Sequence, residues 1–239
     1  MEAESGSTIG LLVPMPIELK PLVKRLRLTK SKLDDQDVWT GACEGSRVVT
    51  RLIGIGPERA RHATRWMIDR VGPSWIMVSG VAGGLGAGVR IGDLVVPETV
   101  TNWKRDHELR PTPIGPTALS GHLVTTDELS NWETLEPFAT AGALAVDMEA
   151  SGVGEVCEEH GVPWIVFRGV SDMVNDDLVD ADVGAMARDD GSADVGAALR
   201  YVLRHPSRIP SLVRVGRDAQ RAASVAAAAT VRAMQAVNL

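Results

Sequence analysis

Three short runs constrain the fold of this chain more than any other feature: Thr8–Val13 (TIGLLV), Trp75–Ser79 (WIMVS) and Trp164–Val170 (WIVFRGV). Each is apolar almost throughout instead of alternating, which is the pattern of a buried strand near a sheet centre. Helix-patterned segments stand beside them. One runs from Pro16 to about Leu26, one from Pro57 to Val71, and one from about Asp147 to His160. Pro16 and Pro57 suit a first helical turn, Gly72 suits a helix stop, and Gly161-Val162-Pro163 ends the third pattern. Val38–Cys43 and Arg47–Ile53 flank Glu44-Gly45-Ser46, a hairpin signal. Shorter strand signals follow at Gly92–Pro97 and His122–Thr125, and a glycine-led run, Gly142–Val146, leads into the third helix pattern. Ala193–Leu203 reads as a helix, and Leu212–Val237 as a long alanine-rich one. Strands alternating with helices, after one early hairpin, predict an α/β fold: a three-layer α/β/α arrangement around a mixed, mostly parallel central sheet.

A chain of 239 residues can bury one substantial core, so a single domain over 1–239 is expected. Residues 1–7 are expected to be a flexible N-terminus and 212–239 a C-terminal helix. The net charge of −6 argues against a general nucleic-acid or membrane-surface partner. No stretch approaches the ~18 uninterrupted apolar residues of a membrane span. The opening MEAESGST is too polar for a signal peptide. Cys43 and Cys157 stand far apart with no motif around them, as buried small residues do in a reducing compartment. A cytoplasmic protein is expected.

Three charged residues, Glu149, Arg168 and Asp172, sit where plain packing would not put them. At 100° per residue Glu149 shares a helix face with Val153 and Val156, opposite Glu155, Glu158 and Glu159. A buried carboxylate needs a cation or strong donors, and Arg168, inside the next apolar run, is the nearest cation. A structural ion pair, or a glutamate favoured by a helix dipole, explains these two residues equally well. Asp172 ends the Arg168 run. Glu18 falls just past the first buried strand, where open α/β sheets place ligand chemistry, although a surface glutamate in a first helical turn also fits. Gly54 and Gly56 suit close backbone approach to a ligand or a tight turn. Gly80–Gly86 reads as a glycine-rich loop without P-loop or dinucleotide-fingerprint spacing. Residues 102–120 read as a long loop. Arg59, Arg61, Arg65 and Arg70 read as a solvated helix face. Seven aspartates between Asn175 and Asp194 fit no calcium-loop spacing and read as a solvated loop and helix start.

The segments Val13–Glu18, Gly54-Ile55-Gly56, Ser79–Leu85 with Gly92–Val96, Val146-Asp147-Met148-Glu149-Ala150 and Arg168-Gly169-Val170-Ser171-Asp172 occur in one order from residue 8 to about 175. Together they resemble the nucleoside phosphorylase / nucleosidase superfamily, most closely its methylthioadenosine/S-adenosylhomocysteine nucleosidases. The resemblance implies cleavage of the N-glycosidic bond of an adenosine-type nucleoside. It implies Glu18 as the base for the attacking water, Asp172 as the acid that protonates N7 of the purine, and Arg168 beside the nucleophile pocket. Glu149 would bind the ribose 2′-hydroxyl, with Met148 against the sugar. Ser171 would orient Asp172, and Ala82, Gly83 and Met15 would contact the nucleoside. No metal or organic cofactor is implied. The partners would be the nucleoside, water or phosphate, and further copies of the chain in a dimer or larger.

Three positions depart from the family pattern. Val81 stands where its nucleosidases commonly carry serine, and Val78 where hexameric phosphorylases carry arginine, which counts against phosphate as nucleophile. Leu129 falls near the aromatic that stacks on the purine, and Trp132 is the candidate to replace it. A phosphorylase, including one for nucleosides with a large hydrophobic 5′ group, and an inactive nucleoside-binding protein are the competing expectations.

Overall fold

The computed structural model describes residues 7–104, 107–115, 118–128, 130–174 and 209–237. The elements are β1 (Thr8–Val13), α1 (Pro16–Leu26), β2 (Thr29–Leu33), β3 (Gln36–Cys43), β4 (Ser46–Leu52), α2 (Pro57–Val71), β5 (Trp75–Gly84), β6 (Leu94–Val95), β7 (Thr99–Asn102), β8 (Glu108–Leu109), β9 (His122–Thr125), α3 (Trp132–Thr140), β10 (Ala143–Asp147), α4 (Ala150–Glu159), β11 (Trp164–Met173) and α5 (Ile209–Ala236). The expected helix over 193–203 and the acidic segment lie outside the described residues, as does the start of the chain.

One mixed sheet runs in the order β2-β3-β4-β1-β5-β10-β9-β7-β8, with β11 alongside β5 and β6. The three apolar runs are its centre. β1 pairs in parallel with β4 and β5, and β11 pairs in parallel with β5 from Trp164–Ile76 onward. Alternation along these strands supplies two cores. Ile9, Leu11, Met77, Ile165 and Phe167 meet α1 and α5 on one face. Leu12, Ile76, Val78 and Val166 meet Met67 of α2 and Val153 and Cys157 of α4 on the other. The three-layer expectation holds.

The alanines of α5 have a packing reason. Ala222, Ala223, Ala226, Ala227, Ala229 and Ala233 are buried, and a Cβ at Gly169 of β11 would fall 2.1 Å from the Ala222 carbonyl oxygen. The helix backbone lies directly on the strand, which only small side chains allow.

Several expectations are corrected. Gly80–Gly84 is not loop but the end of β5, because β11 pairs with it as far as Gly84. Part of 102–120 is strand: β8 pairs antiparallel with β7. An extra strand, β2, turns into β3 through Asp34 and Asp35 at φ 47° and 62°, the left-handed pair of a tight hairpin. Arg61 is not on a solvated face. It is buried, and its Nε donates to Glu155 Oε2 at 2.6 Å while Nη1 bonds Glu58, so it ties α2 to α4. Among the described residues no helix is long and apolar enough to cross a membrane.

Candidate active site

The site forms where β1, β5, β10 and β11 end. Pro14 and Pro16 break β1 and start α1 at Pro16, with Met15 extended as N-cap at φ −125°, ψ 153°. Glu18 is therefore the third helical residue, and its side chain turns back inward. Oε2 accepts from the Met15 amide at 2.6 Å and Oε1 from the Val81 amide at 2.7 Å. Only 2% of Glu18 is exposed. Burial raises its carboxyl to about 7 from 4.5, against the pull of Arg168 and the two amides.

Arg168 is fully buried in the middle of β11, opposite Gly80 of β5. Its Nε donates to Asp147 Oδ2 at 3.0 Å, and Nη2 donates to the same oxygen and, at 3.0 Å, to Glu149 Oε2. Nη1 is buried with no hydrogen-bond partner. A Cβ at Gly80 would lie 2.1 Å from Nη1 and 2.6 Å from Glu18 Oε1. The guanidinium and the carboxylate thus share the space over bare glycine backbone. Burial pulls the guanidinium down, but Asp147, Glu149 and Glu18 outweigh it and hold its proton above the usual range.

Glu149 is not inside a helix, as the periodicity predicts, but at the N-cap of α4 with φ −131° and ψ −31°. The helix starts later because β10 continues through Asp147, whose Oδ2 accepts from the Ala150 amide at 3.0 Å. Glu149 still points inward and is 4% exposed. Its Oε1 accepts from the Gly56 amide at 3.2 Å, which is where the φ of +107° at Gly56 finds its use. Burial raises the Glu149 carboxyl, Arg168 opposes this, and Asp147 and Glu18 reinforce it.

Asp172 follows at a register shift in β11, opposite Gly83. Ser171 Oγ donates to Asp172 Oδ1 at 2.5 Å and reaches the Ala82 carbonyl at 3.4 Å. Oδ2 lies over Gly83, 3.6 Å from where a Cβ would stand, with Val146 and Val174 closing the same space. Trp132 and Trp103 pack in the cluster that contains those two valines. Met15 and Met148 are half-buried, and Ala82 is buried beside the Ser171 hydroxyl. Leu129 lies outside the described residues. A cavity of about 290 Å³ adjoins the site through Gly56 and is walled by Ile55, Arg59, Asn102, Lys104 and Asp127.

Of the expected residues, Glu18, Glu149 and Arg168 are brought into one buried group, and Ser171, Asp172, Ala82 and Gly83 into the adjoining wall. Sequence reading missed Asp147 and the Val81 amide. Asp147 stands in the Val146–Ala150 motif, but nothing in its spacing marks it as the principal partner of Arg168. The arrangement offers a buried carboxylate of near-neutral proton affinity, an unpartnered cationic N–H next to it, and a second carboxylic group oriented by a hydroxyl. Among the described residues no cluster of His, Cys, Asp or Glu has the form of a metal site.

A family model described as the phosphorylase superfamily matches residues 8–131 and 111–203. The chain is 27% identical over 207 residues to a 5′-methylthioadenosine/S-adenosylhomocysteine nucleosidase of Shewanella oneidensis, covering 71% of this chain and 85% of that one. Its fold matches the 5′-methylthioadenosine/S-adenosylhomocysteine nucleosidase of Helicobacter pylori bound to butyl-thio-DADMe-Immucillin-A, with TM-score 0.74, 18% identity and coverage of 98% and 100%. It matches futalosine hydrolase of the same organism with the same TM-score, identity and coverage.

Proposed function

The chain belongs to the phosphorylase superfamily, and on that premise we propose that it is a purine nucleosidase that hydrolyses the N-glycosidic bond of an adenosine-type nucleoside. The observation that carries this reading is that buried Glu18 and the unpartnered Nη1 of Arg168 face the same bare backbone at Gly80. A carboxylate whose proton affinity is raised to about 7 suits a general base near neutral pH. A water molecule held between Glu18 and Nη1 would lose a proton to Glu18 as its oxygen bonds C1′. The C1′–N9 bond breaks, its electron pair passes to the purine, and Asp172, oriented by Ser171, delivers a proton to N7. Glu149 and Met148 hold the ribose, and Ala82, Gly83 and Met15 contact the nucleoside. An oxocarbenium-like state flanked by a base and an acid needs no metal or organic cofactor.

Relatives named for methylthioadenosine and S-adenosylhomocysteine support an adenosine-type substrate, and Trp132 is proposed to supply the aromatic surface near the base. The reading includes a single functional domain, a cytoplasmic location and assembly into a homodimer or larger. The test is incubation with methylthioadenosine, adenosylhomocysteine and inosine, each with and without phosphate. Release of adenine independent of phosphate is expected. Strict dependence on phosphate would assign a phosphorylase of the same fold, and binding without release an inactive nucleoside-binding protein.

A further inference from the structure

We propose that Asp147 is the positioning residue of this site: it grips one edge of the Arg168 guanidinium so that the remaining nitrogen, Nη1, is presented beside Glu18. The inference rests on the reading of Glu18 as the base.

Asp147 is 5% exposed and accepts on both oxygens. Oδ2 takes Arg168 Nε at 3.0 Å, Arg168 Nη2, and the Ala150 amide at 3.0 Å. Oδ1 takes the Thr125 hydroxyl at 2.6 Å. Thr125 Oγ1 in turn accepts from the Ser151 amide at 3.0 Å. The carboxylate is therefore anchored to the neighbouring strand β9 and to the N-terminus of α4 before it touches the arginine. A guanidinium is planar, so fixing Nε and Nη2 fixes where Nη1 points. The result is an unfavourable placement for the arginine alone, because Nη1 is buried without an acceptor. Arg168 collapsing towards Glu18 would relieve it. The grip of Asp147, seconded by Glu149 Oε2 at 3.0 Å, prevents that and leaves the space beside Glu18 open.

The charges facing Glu18 come from three elements: Arg168 on β11, Asp147 at the end of β10, and Glu149 before α4. The negative charge of Asp147 offsets the cation at Glu18. Without it Arg168 keeps only Glu149 as a buried partner and is free to pair with Glu18, which then releases its proton more readily and is a weaker base.

The test compares wild type with Asp147→Asn and Asp147→Glu by two readouts. One is the pH profile of kcat/KM for base release from methylthioadenosine. The other, which needs no turnover, is the ¹³C NMR titration of the Glu18 carboxyl. For Asp147→Asn the expected result is a kcat lower by about 100-fold with KM little changed. Both the acid limb and the Glu18 titration should move down by about 1 pH unit. Asp147→Glu should restore most of each. A loss that only tracks the folded fraction, with the titration and the acid limb in place, overturns the proposal. If Asp147→Asn does not fold, Thr125→Val removes one anchor while keeping the charge. It should lower kcat by about threefold to tenfold at constant KM, and an unchanged kcat overturns the proposal. A wild type that releases no base overturns the nucleosidase reading, and the NMR titration then decides the role of Asp147 by itself.

Discussion

Glu18 and Val81, 63 positions apart in sequence, are joined by a 2.7 Å hydrogen bond from the Val81 amide to Glu18 Oε1. The bond fastens the first turn of α1 to the end of β5. The carboxylate is held by two amides, at Val81 and Met15.

Glu18→Gln removes the proposed base. Turnover of methylthioadenosine is expected to fall by about 10²–10⁴-fold, with the nucleoside still bound. In the wild type the rate should rise as pH passes through about 7, where Glu18 loses its proton. Steady-state base release across pH 5–9 checks both. A variant within tenfold of wild type removes Glu18 from the mechanism.

The same carboxyl links stability to pH. Folding raises Glu18 from 4.5 to about 7, so the folded state binds its proton more tightly than the unfolded one. Its stabilising contribution is complete below the unfolded value and is lost as pH rises through about 7. The amount is on the order of 3 kcal/mol, and Glu149, also raised, acts in the same direction. Melting temperature should fall between pH 5 and 8, with a shallower slope in Glu18→Gln. Parallel slopes for the two proteins would contradict the burial of an ionisable Glu18.

Gly80→Ala places a methyl group 2.1 Å from Arg168 Nη1 and 2.6 Å from Glu18 Oε1. The crowding should cost about 1–3 kcal/mol of stability and abolish most turnover, because the guanidinium must swing away from Glu18. Thermal melting and base-release assays on the variant measure the two effects. Full activity would show that Nη1 and Glu18 are not the working pair.

Asp172→Asn keeps the shape of the β11 end and the Ser171 contact but cannot deliver a proton. Turnover on a purine nucleoside should drop by about 10²–10⁴-fold, while circular dichroism and melting stay near wild type. A substrate with a leaving group that needs no protonation should lose far less. Equal losses on both substrates would point to a structural role for Asp172.

The sequence by itself determined the architecture. Three apolar runs had to be covered on both faces, and the helix patterns beside them supplied the cover. Pro16, Pro57 and Gly72 marked helix ends because their backbone restrictions are local. Glu149 and Arg168 were legible as partners because a charge in an apolar pattern demands a counter-charge. Only the tertiary structure decided how the charges share their partners. The periodicity of Asp147–His160 could not show that strand pairing extends through Asp147 and leaves Glu149 as a cap. Nor could it show that Asp147, not Glu149, takes two nitrogens of Arg168. Gly80–Gly84 looked like loop because glycine is a weak strand former, yet pairing with β11 makes it strand. The glycine at position 80 leaves room for both Glu18 and Arg168, residues 150 positions apart in the numbering. Contacts of that range depend on which strands lie side by side, and a linear pattern carries no record of it.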